Sequence, residues 1–240
     1  MTQRTALGLP LRQGIPCSSA GPIHSGSFCL SPAHCGGKRA ALLLRDAAEF
    51  PLAVRLRSAE GISLGEAFSF LSGLYFRGKL AYASRFARPA AGASGVQVIT
   101  ANRGLLAADT RVGLEDLRAF GSVDIRANDP RYREPLVRDI ARIAEDSALE
   151  LVLLGSLATG KYVDVLLDVV GERLLFPTDF LSRGDMSRGA LLLRATGEGR
   201  ELAYESAAGA LPRMRPRTRG AGNGGDEKRG EDTKDPERQE

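Results

Sequence analysis

Residues 149–154 (LELVLL) are almost continuously apolar and run directly into glycine. Six residues suit a strand and are too few for a typical helix, and an apolar character on both faces suits a strand covered on both sides in a parallel sheet. A glycine-bounded turn, a helix over residues 162–170 stopped by Gly171, and a strand over 173–176 follow. The unit is therefore βαβ, which commits the chain to a layered α/β architecture.

The remaining periodicities extend that layout. Residues 51–57 (PLAVRLR) read as a first strand, and Ser63 with Glu66 forms a capping box before a helical stretch reaching about Ala87, divided or bent at Gly73 and Gly78. Residues 96–100 read as a short strand, 114–120 as a short helix, and the main helix as starting at Pro135 and running to about Ser147. Residues 190–195 and 201–205 flank a polar turn and read as an antiparallel hairpin. The expectation is a single three-layer, Rossmann-like domain over residues 42–208, with a mostly parallel sheet and a C-terminal antiparallel hairpin.

Outside those limits the composition changes. Residues 1–41 are rich in Gly, Ser and Pro and read as a disordered segment; residues 209–240 read as a disordered tail, Arg-rich and then mixed in charge. Charge follows the same division: of a net +4, residues 1–40 carry +4, residues 213–240 carry +1, and residues 41–212 carry −1. A pI near 9.1 therefore does not mark the folded part as a nucleic-acid binder, although Arg213, Arg215, Arg217 and Arg219 suit a nucleic-acid or acidic partner through the tail. No apolar run is long enough to span a bilayer and no secretory signal is legible, so the expected location is cytoplasmic. Three cysteines lack metal-site spacing and suit reduced thiols, so no metal is expected; no cofactor and no oligomeric state can be read.

The residues suited to chemistry lie in three polar loops. Gly155 to Lys161 (GSLATGK) joins the buried strand to a helix, where Ser156, Thr159, Lys161 and backbone N–H groups suit an anion. Tyr162 occupies the position that needs Ser or Thr in a magnesium-dependent nucleotide hydrolase, which argues against that activity. In SRGDMSRG, Asp185 is the candidate catalytic carboxylate and Arg188 a candidate anion ligand; Asn102 and Arg103 follow the strand at 96–100. Only Lys79 and Lys161 represent lysine within residues 41–212, in a chain with 5 Lys and 28 Arg, so a primary amine is a candidate requirement at both. Both histidines fall in the N-terminal segment, which removes histidine from the expected site.

Four segments, SGLYFRGKLAYA (72–83), ITANRGLL (99–106), LLGSLATGKYV (153–163) and GDMSRG (184–189), resemble in that order a group of uncharacterised bacterial α/β proteins. The resemblance covers about residues 50–205 and implies a Rossmann-like fold connected with nucleotide or nucleic-acid metabolism, with no catalytic residue to transfer. The expected function is binding of a nucleotide, nucleobase derivative or other phosphorylated small molecule, with room for hydrolytic or group-transfer activity through Asp185. The alternative is a non-enzymatic module contacting protein or nucleic acid.

Overall fold

The computed structural model describes residues 26–89, 94–158 and 160–214. The chain begins there with strand β1 (Gly26–Leu30), helices α1 (Lys38–Leu43) and α2 (Pro51–Arg57), strand β2 (Ile62–Ser63), and helices α3 (Leu64–Ser72) and α4 (Leu74–Phe86). Strands β3 (Val96–Ile99), β4 (Leu105–Ala107) and β5 (Arg111–Val112) come next, then helices α5 (Leu114–Gly121) and α6 (Pro130–Ala144). Strand β6 (Glu150–Leu154), helix α7 (Gly160–Val170), strand β7 (Leu174–Pro177), helix α8 (Asp185–Glu198), strand β8 (Tyr204–Ser206) and helix α9 (Ala207–Met214) complete it.

Six strands form one sheet in the order β4-β3-β1-β6-β7-β8, and β2 pairs with β5 in a separate ribbon. β1 runs parallel to both β3 and β6, with Phe28 opposite Val96 and Val152; β6 and β7 are also parallel. The edge strands β4 and β8 are antiparallel to their neighbours. The chain crosses from β1 to β3 in one direction and later returns past β1 to β6 in the other, so right-handed connections put their helices on opposite faces, and the helices pack as α4 with α8 and α6 with α7. This is the mixed, mostly parallel α/β fold that the sequence predicts.

Several local expectations are corrected. Residues 26–41 are not a disordered appendage: all five residues of β1 are buried, and this strand occupies the middle of the sheet. Its only large apolar side chains are Phe28 and Leu30, with Cys29 between them, too little for a recognisable period. Residues 51–57 form a helix, not a strand, with Pro51 at a position where its missing N–H costs nothing; Ala53 and Leu56 face inward while Val54 is 52% exposed. α6 starts at Pro130 after the Asp129 cap and contains Pro135, rather than starting there. The C-terminal antiparallel pair exists but is β7 with β8; residues 190–195 belong to α8, which ends at the left-handed Gly199. The domain also extends past residue 208 through α9, while residues 1–25 and 215–240 lie outside the described residues.

The α4–α8 crossing depends on two glycines. A Cβ at Gly78 would lie 2.6 Å from the Gly189 carbonyl oxygen, and one at Gly189 would lie 2.9 Å from Tyr75 Cα. The helical cost of glycine at these sites is offset by backbone-to-backbone approach, which fixes Lys79 on α4 against the start of α8. Phe28, Tyr82 and Tyr204 pack edge to face beneath this crossing, and the Tyr82 and Tyr204 hydroxyls are 2.7 Å apart.

Candidate functional site

From β1 the chain crosses to β3 on one side, and from β3 it later crosses back to β6 on the other. Such a reversal leaves a crevice beyond the C-terminal ends of the strands, where open α/β sheets hold their ligands. A cavity of about 500 Å³ lies there, lined by residues 31–36 after β1, Ala101 after β3, Ser156 and Lys161 after β6, and Lys79 and Asp185 from α4 and α8. It is within the usual size range for a small-molecule pocket.

Its inner wall is built around Lys79, which is 1% exposed. The Lys79 amine donates to the Ser31 carbonyl at 2.6 Å and meets Ser31 Oγ at 2.8 Å. The amine also sits 4.6 Å from the centre of the Tyr75 ring and 4.8 Å from that of Phe76. Burial pulls its pKa down to about 7, against the smaller opposing pull of Asp185 and Cys29. The same burial pushes Cys29 and Cys35 up to about 12, so both are thiols at neutrality. Cys35 Sγ rests 3.7 Å from the Ala33 carbonyl.

Tyr162 and Tyr75 complete this wall. The Ser156 backbone N–H donates to the Tyr162 hydroxyl at 3.0 Å, and Gly155 lets Tyr162 close on Ser31, since a Cβ there would stand 3.0 Å from Ser31 Cβ and 3.1 Å from Tyr162 Cε2. Burial raises the pKa of both tyrosines. The Tyr75 hydroxyl is buried at the cavity wall, where the Arg188 guanidinium partly offsets the effect of burial.

The rim is different in kind. Lys161 lies exposed in the first turn of α7, and Ser156 is half-buried beside it, its Oγ accepting from the Ala158 N–H at 3.3 Å. Asp185, at the first position of α8, has a side chain 69% exposed and faces Arg188 at 3.5 Å. Among the described residues Lys161 has no ion-pair partner, and no group of three or more His, Cys, Asp or Glu side chains is placed to hold a metal.

The cavity therefore gathers Lys79, Ser156, Lys161 and Asp185 but not every candidate. Arg188 is buried, and its Nε and Nη2 donate to the Phe180 carbonyl at 3.3 and 3.0 Å, so its fork holds a turn. Asn102 donates to the Ala119 carbonyl at 3.0 Å; Arg103 pairs with Asp116 at 2.5 Å and lies over the Phe120 ring. Neither Asn102 nor Arg103 lines the cavity, and that third loop contributes Ala101 instead. Thr159 lies outside the described residues.

Two features escape a reading of the sequence. Ser31 and the 31–36 segment belong to a stretch of low apolar content, so nothing local identifies them as the end of a central strand. Histidine is also restored to the site: His34 sits on this segment, exposed, and lines the cavity. The count of lysines did single out Lys79, but its partner Ser31 is 48 residues away. No family model matches the chain, and neither a curated protein nor a solved structure is significantly similar to it.

Proposed function

We propose that the cavity binds a nucleotide, a nucleobase derivative or another phosphorylated small molecule, with the anionic group at the rim near Lys161, Ser156 and the first turn of α7. The observation that carries this reading is the meeting of Lys161 and Ser156 at the reversal point of a parallel sheet, on a cavity of about 500 Å³. The first N–H groups of an α-helix have no partner within it and carry partial positive charge, so an exposed lysine in that turn adds to an existing attraction for anions. Asp185 on the opposite side supplies a carboxylate for hydrolytic or group-transfer chemistry. Among the described residues no helix is long and apolar enough to cross a membrane, and Cys29 and Cys35 are free and buried. We place the protein in the cytoplasm on the same footing, since reduced thiols persist there.

Thermal melting of the full chain with inorganic phosphate, nucleotides, sugar phosphates and unphosphorylated nucleosides tests this reading. Stabilisation by phosphorylated compounds, lost in Lys161→Ala, is the expected result. No shift with any of them, or equal shifts with and without the phosphate, would contradict it.

A further inference from the structure

We propose that Ser31 and Lys79 form a nucleophile–base pair for acyl transfer, acting on a small ester, thioester or amide that enters the cavity. The proposal shares the cavity with the anion reading but does not depend on it. Its first support is contact: Lys79 Nζ and Ser31 Oγ are 2.8 Å apart, and both residues line the cavity. Its second is the orientation of the amine. A donor bond to the Ser31 carbonyl at 2.6 Å holds Nζ in place, and once unprotonated the nitrogen keeps a lone pair for the Ser31 hydroxyl proton. Its third is environment, because Tyr75 and Phe76 enclose the amine and no carboxylate within ion-pair distance is described for it. An apolar side chain would fill that space at less cost than a buried amine. A base that activates serine must lose its proton near neutrality; burial favours that loss and outweighs the attraction of the two ring faces for the charged amine.

The chemistry closes without a further reagent except water. Lys79 Nζ takes the Ser31 hydroxyl proton as Oγ bonds to the acyl carbon. The ammonium then returns that proton to the departing alcohol, thiol or amine as its bond to the acyl carbon breaks. Water attacks the acyl-serine, passing one proton through Lys79 to Ser31 Oγ, so that a carboxylic acid leaves and both side chains are restored.

Ionisable groups around Lys79 are Cys29 from β1, Tyr75 from its own helix, Tyr162 from α7, and Asp185 and Arg188 from α8. Cys29, Tyr75 and Tyr162 stay protonated through neutrality because burial raises each. The test is labelling of the full chain by a small fluorophosphonate, with the adduct located by peptide mass spectrometry. We expect one adduct on Ser31, absent in Ser31→Ala, forming at a rate that rises between about pH 5.5 and 8.5 and keeps that profile in His34→Gln. Lys79→Met should cut the rate about 100-fold while circular dichroism shows the fold intact. No adduct on Ser31 in the folded wild type at about pH 9, or a folded Lys79→Met that labels as fast as wild type, overturns the proposal. If Lys79→Met does not fold, the wild-type profile decides, and a rate flat across that range overturns it.

Discussion

Lys79 and Lys161 line one cavity, yet Lys79 is 1% exposed with its amine held by Ser31, whereas Lys161 is exposed and unpaired among the described residues. The inner wall is built by tertiary packing, with α4 and α8 brought together at Gly78 and Gly189 and Tyr162 seated against Ser31. The part of the rim that holds Ser156 and Lys161 is built locally, from one turn between β6 and α7. One amine is thereby depleted of water, which suits proton transfer; the other keeps its solvent, which suits attraction of an anion. The same side-chain type receives two properties from two environments.

If that contrast holds, damage to the packing should cost most. Gly189→Val forces atoms into the backbone of α4, and we expect a loss of about 3 kcal/mol or more, read by urea denaturation. Lys161→Ala should leave the denaturation midpoint unchanged while weakening the best phosphorylated ligand by roughly 1.5 to 3 kcal/mol in calorimetry, the range for a hydrogen bond to a charged group. Arg103→Ala, removing a partly exposed ion pair away from the cavity, should change ligand affinity by less than about 0.5 kcal/mol.

A dependence on pH also separates the lysines. In the unfolded chain Lys79 holds its proton to an ordinary lysine pKa, while in the folded chain burial brings the pKa down to about 7. Above 7 the unfolded state therefore binds more protons, and stability gains as pH rises, by up to about 1.4 kcal/mol per pH unit. The gain should be clearest from pH 7 to about 8, below the range where Cys29 and Cys35, ordinary thiols in the unfolded chain and raised ones in the fold, oppose it. Lys79→Met should abolish this slope and Lys161→Ala should keep it. Asp185→Asn should cost under about 1 kcal/mol of stability, yet lower the Lys79 pKa further, because that carboxylate favours the charged amine.

What was legible in the sequence follows the same division. The β6 strand, the turn after it and α7 are contiguous, and burial on both faces writes itself into 149–154 as an apolar run. The loop from Gly155 to Lys161 was accordingly visible as a candidate. β1 was not, because its burial comes from partners at residues 96–98 and 150–154, which no local pattern of five residues records. Residues 190–195 of α8 read as a strand in the sequence because Leu191, Leu192 and Leu193 are consecutive; the limits of the helix, Asp185 and Gly199, carry the acidic start and left-handed stop of a helix. Asn102, Arg103 and Arg188 show a further limit. Polar residues in glycine-containing segments suit a ligand equally well on paper, and here they bind main-chain carbonyls or a neighbouring carboxylate instead.

Nuclear magnetic resonance titration of the Lys79 side-chain nitrogen in the full chain, assigned by its loss in Lys79→Met, addresses the difference between wall and rim directly. A midpoint about 7, well below the ordinary lysine value, is the result expected of an amine buried beside Ser31, Tyr75 and Phe76. A Lys79 that keeps its proton to the ordinary lysine value would contradict the account.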